Sequence, residues 1–337
     1  MTAVATQAEA TLRARHRLAS GLVAEMAELR RLRPVRRIAE IAFFSALWAA
    51  GIATGFAGLD SADAAGWTLR IVGIATCAAA LNAFYLLSHE GHHHLLFRRR
   101  GANHGANIAL CVPLLHSPSA YRVLHELHHR FLGGPGDPDE YRNYTGDPRL
   151  RWALQWVRLT MGTLVYMPLI PIVAWRRATR ADRRWIAAEY AAMILIWILV
   201  FAAVPLATLL QVWLLPGVLV GYISAVRALA QHALTQSDDP LLASRSVRSN
   251  PIVSFLLLNE NYHLEHHLFP EVPSYHLPQL RALVRSRLPY TVEAASYSRF
   301  LAGFVGRFLR GDESPMGLCQ GQGAVIRPGS SVPGVER

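Results

Sequence analysis

Long uncharged apolar runs, rather than alternating apolar and polar positions, dominate the middle of the chain. Residues 41–59, 71–88 and 191–226 carry no charged side chain. A helix needs about 20 largely apolar residues to cross a bilayer, so the last run is long enough for two crossings. Pro205 and Gln211 predict the turn between those two crossings. We therefore expect four membrane spans in two helical hairpins, at residues 41–59, 71–88, 187–206 and 209–229.

A fourth uncharged run, residues 159–175, is flanked by tryptophans. We interpret it as an interfacial or re-entrant segment, because tryptophan favours the headgroup region of a bilayer. Pro168 and Pro171 are expected to break a spanning helix here. A crossing would also place the five arginines of residues 176–184 on the outer side of the membrane.

The basic residues predict the topology. All 34 of them are arginine: eight precede residue 38, fourteen lie between residues 89 and 186, and ten follow residue 231. Two hairpins with both termini in the cytosol place these three groups on the inner side, as the positive-inside rule requires. We expect a multi-pass protein of the inner or cytoplasmic membrane.

The composition excludes several classes of protein. With 52% hydrophobic and 17% charged residues, the chain is neither largely disordered nor an ordinary soluble domain, in which about a quarter of residues are charged. A sequence pI near 10.2 would suit nucleic-acid binding only on a soluble module with a basic face, so we predict no nucleic-acid partner. The three cysteines are too far apart for a disulfide framework or a zinc ribbon.

These observations predict an all-α integral membrane protein. Its two transmembrane hairpins would carry a cytosolic helical cap and interfacial helices. We expect a cytosolic N-terminal segment at residues 1–37, a membrane domain at 38–311 and a disordered tail rich in Gly, Pro and Ser at 312–337.

Histidines cluster near the predicted cytosolic ends of the spans. His89 and His93 form an HxxxH pair, and residues 125–129 and 263–267 each form an HxxHH motif. Because residues at i, i+3 and i+4 share one helix face, each motif directs its imidazoles to one side. Imidazole binds Fe, Zn, Cu or Ni, and eight imidazoles exceed what one ion can use, so two metal ions are indicated. His232, just past the fourth span, is predicted to be a ninth ligand.

The predicted metal ligands are His89, His93, His125, His128, His129, His232, His263, His266 and His267. The other histidines are expected in surface or capping roles; they are His16, His92, His94, His104, His116 and His276.

The same motifs allow a zinc site. Residues 89–93 and 125–129 both match HExxH, in which two histidines bind zinc and the glutamate activates water. A peptidase needs only one such motif, and the third histidine group has Leu264 where the glutamate would stand. A zinc membrane peptidase is therefore an alternative of another class, and a metal-handling membrane protein without catalysis is a third.

The three histidine motifs and the predicted hairpins resemble the membrane fatty acid desaturase family over residues 38–290. Residues 261–270, with the sequence NYHLEHHLFP, are similar to the third motif of that family. Residues 227–232 resemble the region that supplies its additional histidine, although many members have Glu at the position of Gln231.

This resemblance implies a non-haem di-iron centre, held by the nine histidines, that uses O2 to abstract hydrogen from an unactivated C–H bond. It implies that Glu90, Glu126, Asp139 and Glu265 orient imidazoles beside the metal, unless they lie on solvated helix surface. Asp137, in a stretch rich in Gly and Pro, is expected in a turn.

The expected reaction is the introduction of a double bond into a fatty acyl chain bound in the membrane. Hydroxylation or ketolation of a lipid or carotenoid is the alternative within this chemistry. Because the sequence contains neither a nucleotide-binding fingerprint nor a haem-binding module, we expect an external electron donor, such as a ferredoxin or rubredoxin with its reductase. The arginine-rich cytosolic face would attract an acidic partner, although topology and anionic headgroups are sufficient to explain it.

Overall fold

The computed structural model describes residues 3–59, 61–235, 239–289, 292–314 and 316. Cys319 and all but four residues of the predicted tail, 312–337, lie outside the described residues.

The regular secondary structure of the described residues is helical, apart from two short strands. The helices are α1 (Ala3–Ala19), α2 (Val23–Leu29), α3 (Pro34–Ala57), α4 (Ala64–His92), α5 (Arg100–Cys111), α6 (Pro118–Phe131), α7 (Pro148–Arg177), α8 (Arg180–Ala203), α9 (Leu206–Leu209), α10 (Leu215–His232), α11 (Pro251–Leu256), α12 (His263–Leu268), α13 (Leu277–Val284) and α14 (Tyr297–Phe308). A π-helical turn, Leu210–Leu214, joins α9 to α10. The strands β1 (Ser246–Val247) and β2 (Glu293–Ala294) pair in parallel.

Four helical stretches in the described residues are long and apolar enough to cross a membrane, which confirms the predicted number of spans. They are Val23–Ala57, Ala64–His92, Arg180–Ala203 and Leu206–His232. The predicted turn from Pro205 to Gln211 was wrong, because helix resumes at Leu206. Gln211 lies buried in the π-helical turn and packs against Gly55. Because Gly55 has no side chain, there is room for the side chain of Gln211.

Glycines allow α3 and α4 to pack closely. A Cβ atom at Gly73 would lie 2.7 Å from the Cα of Gly55, and one at Gly51 would lie 2.8 Å from Sγ of Cys77. Contacts therefore run in opposite directions along the two helices, which makes them antiparallel. Small residues spaced four apart commonly let membrane helices approach in this way.

The segment around residues 159–175 is helical but bent. Two helical pieces of α7, Pro148–Gly162 and Val165–Arg177, meet at an angle of 110°. The expectation that Pro168 and Pro171 break the helix was wrong, since α7 continues through both. Pro168 falls in the first turn after the bend, where a helical N–H lacks an intrahelical partner and its loss costs little. The bend is compatible with a broken span and with the predicted re-entrant segment.

The chain divides into two compact units. The membrane unit comprises Leu32–His125 and Val157–Ala225, and the terminal unit comprises the described residues within Met1–Arg31, Glu126–Trp156 and Val226–Arg337. In the terminal unit, α1 and α2 pack on α12 and α13 through buried residues that include Leu18, Met26, Leu264 and Leu280.

Candidate metal centre

Three of the predicted ligands meet in the membrane unit. His89 lies in the last turn of α4, His93 directly follows that helix, and His125 lies on α6. Nε2 of His93 is 2.8 Å from Nε2 of His125, and the rings of His89 and His125 are 4.3 Å apart. One ring nitrogen from each residue lies within 4.8 Å of the others, so the three imidazoles converge.

The remaining six predicted ligands meet in the terminal unit. His128, His232 and His267 each offer a nitrogen within 4.8 Å of the other two. Nε2 of His263 lies 2.8 Å from Nε2 of His232 and 3.0 Å from Nε2 of His267. His129 and His266 approach each other with their Nε2 atoms 3.2 Å apart.

These spacings fit ligands that share an ion. Two nitrogens bound at right angles to one metal, each at about 2.0–2.1 Å, lie about 3 Å apart. Burial lowers the pKa of His93 to about 3 and holds the pKa values of His263 and His267 well below their ordinary value. These three imidazoles are therefore neutral at physiological pH, which is the form that binds a metal.

Asp137 is the carboxylate that contacts a predicted ligand most closely. Both of its carboxylate oxygens lie 3.0 Å from Nδ1 of His128, and it also accepts hydrogen bonds from the backbone N–H groups of Gly133 and Asp139. Burial by itself raises the pKa of Asp137, but His128 and these backbone donors outweigh it and lower that pKa. Asp137 thus forms the predicted turn and also holds Nδ1–H of His128, which leaves Nε2 available to a metal.

Glu260 lies near Nδ1 of His263, but less closely than Asp137 lies to His128. Its fully buried carboxylate lies 3.4 Å from Nδ1 of His263. Leu258 and Asn259, just before it, have φ values of +47° and +62°. Their N–H groups bond to the carbonyl oxygens of Phe255 and Ser254, the pattern of a Schellman helix end. This end of α11 turns the backbone so that Glu260 points inward.

The carboxylates predicted to orient imidazoles have other surroundings. Glu90 is fully buried and paired with the equally buried Arg37. Glu265 accepts hydrogen bonds from Arg281 at 2.6 Å and from Ser246 at 2.5 Å.

Two further carboxylates were predicted in the same role. Glu126 is exposed. Asp139 lies 3.8 Å from Nδ1 of His128, farther than Asp137. Asp137 and Glu260, which lie outside the histidine motifs, approach predicted ligands more closely than Asp139 does.

Several histidines outside the predicted ligand set are buried, contrary to the expected surface role. In the membrane unit, Nδ1 of His92 is 3.1 Å from Nδ2 of Asn107, and Nε2 of His116 is 3.3 Å from Sγ of Cys111. Burial lowers the pKa of His116 to about 4. In the terminal unit, His276 is buried and bonds to Gln279. His92 lies within the first histidine motif, whereas His116 and His276 lie outside all three motifs, so no spacing marked those two.

Convergent histidines beside buried carboxylates, in a chain with four apolar helices, form sites that could hold metal ions in a membrane protein. The family model described as fatty acid desaturase matches residues 65–298. Because this match covers more than half of the chain, the protein belongs to the fatty acid desaturase family. It is also 24% identical over 287 residues to the dihydrorhizobitoxine desaturase of Bradyrhizobium elkanii, an alignment that covers 77% of this chain and 76% of that protein.

Proposed function

We propose that the protein is an O2-dependent membrane desaturase with a non-haem di-iron centre. The observation that supports it most is that predicted histidines converge within each unit: His89, His93 and His125 in the membrane unit, and His128, His232 and His267 in the terminal unit. The donor set fits iron, because imidazole nitrogen is a good ligand for it. When bound, a di-iron pair would supply the activation of O2 and the removal of hydrogen from an unactivated C–H bond.

The side chains of this chain would prepare the site for that metal. Asp137 would hold the proton on Nδ1 of His128, so that Nε2 of His128 presents its lone pair, and the carboxylate of Glu260 lies 3.4 Å from Nδ1 of His263. Burial keeps water away from His263 and His267 and lowers their pKa values, so that both imidazoles stay neutral. A fixed tautomer and a dry environment favour metal binding without prior loss of protons.

We propose a fatty acyl chain as the substrate. Four apolar helices offer a hydrocarbon environment, and the family is named for fatty acids. The relative from Bradyrhizobium elkanii is named for dihydrorhizobitoxine, so substrates other than fatty acids belong in any search for the product. Hydroxylation or ketolation of a lipid or carotenoid is the second candidate reaction, because the same ligand set would serve it.

The surroundings of the two HExxH glutamates argue against a zinc peptidase. The glutamate of an HExxH motif must face the metal-bound water. Glu90, in the first such motif, is instead buried against Arg37, and Glu126, in the second, is exposed. Neither carboxylate is placed to activate water.

We propose an external redox protein as the electron donor, of the ferredoxin or rubredoxin type with its reductase. Arg98, Arg99 and Arg100 are exposed in the membrane unit, as are Arg176 and Arg177. Such a basic surface attracts an acidic donor through long-range electrostatics, and its effect weakens as salt rises.

Expression in a host with a simple lipid profile, followed by mass spectrometry of fatty acids and of small metabolites, tests the proposed reaction. We expect a new product two hydrogen atoms lighter than its precursor, formed only with O2. His266→Ala should abolish it, and His16→Ala, at an exposed position outside both groups, should not. A hydroxylated or keto product without an alkene would replace the desaturase proposal with the hydroxylase or ketolase.

A further inference from the structure

His232 is the last residue of α10, and the end of that helix must be satisfied by groups outside it. The last carbonyl groups of any α-helix have no partner within the helix. Beyond His232 the chain turns away at Leu234, whose φ is +54°. The orientation of the His232 ring therefore depends on whatever binds these carbonyls.

Arg245 binds them. Its Nη1 donates to the carbonyl oxygens of Ala230 and Ala233, each at 3.0 Å, and its Nη2 donates to that of Leu234 at 3.2 Å. Its backbone N–H donates to the carbonyl oxygen of Gln231 at 2.9 Å. Arg245 thus donates hydrogen bonds to the carbonyl oxygens of two residues before His232 and two residues after it.

The same guanidinium connects this helix end to the C-terminal part of the described chain. Nη2 of Arg245 donates to the carbonyl oxygen of Met316 at 2.8 Å, and the N–H of Met316 donates to Leu234 at 2.7 Å. The guanidinium also lies over the ring of Phe300, 5.1 Å from its centroid. Met316 was expected in the disordered tail, yet here it is bonded on both sides of its backbone.

Arg245 is an unusual cation because it is 1% exposed and, among the described residues, forms no salt bridge with a carboxylate. Burial lowers its pKa to about 9, which still leaves it charged at neutral pH. The negative end of the α10 dipole supplies the compensating charge. A guanidinium offers five N–H donors on three nitrogens in a planar fork, whereas the ammonium of lysine offers three donors on one nitrogen and reaches fewer separated carbonyls.

We infer that Arg245 is a positioning residue for His232: by capping the carbonyl end of α10 it holds Nε2 of His232 toward His263, at the 2.8 Å separation seen in the structure. The inference rests on the proposed metal centre, in which His232 is a ligand. It assigns no direct contact with metal or substrate to Arg245.

Iron affinity in a double-mutant cycle tests this inference. Fe²⁺ would be titrated anaerobically into the full-length, detergent-solubilised protein and into Arg245→Met, His232→Ala and the double variant. Loss of an outer partner of a metal ligand typically lowers affinity 10–100-fold, so we expect at least a tenfold loss for Arg245→Met. If Arg245 acts through His232, adding Arg245→Met to His232→Ala should cause no further loss.

Controls separate positioning from general stability. Arg307→Met removes another buried arginine of the terminal unit, one that bonds to Asp312 and Ser314, and should leave iron affinity within twofold of the parent. Arg245→Lys retains the charge without the fork, so it should rescue folding of the metal-free protein more than it rescues iron affinity. The visible spectrum of bound Co²⁺ should change in Arg245→Met as it does in His232→Ala.

The outcomes are distinct. Equal, additive losses in the cycle, or an unchanged Co²⁺ spectrum in a folded Arg245→Met protein, would overturn the positioning role while leaving the metal centre intact. Failure of the parent protein to bind Fe²⁺ at all would overturn the proposed function, and the inference with it.

Discussion

Two histidines of the terminal unit, His128 and His263, have a carboxylate beside Nδ1. Nδ1 of His128 faces Asp137, and Nδ1 of His263 faces Glu260, while Nε2 of His263 faces other imidazoles. The histidines could be predicted from their spacing, because i, i+3 and i+4 positions share a helix face. Their carboxylate partners could not, since Asp137 lies in an irregular loop and Glu260 follows a left-handed turn that Leu258 gives no reason to expect.

Asp137→Asn should weaken metal binding. An amide in place of the carboxylate no longer fixes the Nδ1–H tautomer of His128 as strongly, so we expect iron affinity to fall about 10–100-fold. Anaerobic titration with Fe²⁺ measures this. Asp139→Asn, which changes the more distant carboxylate, is the matched control and should cost much less. Equal losses in both variants would contradict the assignment of Asp137.

His116 should make the metal-free protein sensitive to acid. Its pKa is about 4 in the folded protein because it is buried, against about 6.5 when unfolded. Between these values the unfolded chain binds the proton and the folded chain does not, so stability falls as pH drops from about 6.5 to about 4. The loss from this residue approaches about 3 kcal/mol.

Thermal unfolding in detergent between pH 7 and pH 4 measures this loss. His116→Asn should flatten the decline, and His16→Asn, at an exposed site, should leave it unchanged. Parallel stability curves for His116→Asn and the parent would show that His116 is not the group that is protonated on unfolding.

At the scale of elements, the sequence predicted the presence of the spans, because a long apolar run is a strong signal. It predicted less well the residues at which each span begins and ends. Helix α4 extends from Ala64 to His92, well beyond the predicted residues 71–88, because Asp63 caps its N-terminus and its last turns are buried within the protein. The helix through Pro168 and Pro171 was not expected, since a sequence does not reveal that a bend just upstream makes the first of them tolerable.

The close approach of α3 and α4 depends on glycine. Gly73→Ala would bring a Cβ atom to 2.7 Å from the backbone of Gly55, and the helices would have to separate. Overpacking of this kind costs about 1–3 kcal/mol, despite the better helix propensity of alanine. Thermal unfolding of the purified protein measures the effect.

Gly217→Ala is the matched control, because it lies in α10 with open space around its Cβ position. It should be neutral or slightly stabilising, by up to about 1 kcal/mol. If Gly73→Ala were as stable as Gly217→Ala, the glycines would not be the reason that α3 and α4 pack so closely.

For the whole molecule, the sequence predicted a membrane protein of the desaturase family, and four apolar helices together with the family match confirm this. The side of the membrane that carries the histidines stays a prediction from the arginine distribution. The compact terminal unit was not foreseen, because it joins the N-terminal helices to the third histidine motif, more than 200 residues away, through contacts such as those between Leu18 and the α12–α13 core.

The number of iron ions per chain tests the central claim most directly. After anaerobic reconstitution and removal of loosely bound metal, elemental analysis should find two irons per chain in the parent protein. His93→Ala, in the membrane unit, and His267→Ala, in the terminal unit, should each lower that ratio. One zinc per chain without iron, together with activity that survives His263→Ala, would contradict the di-iron account.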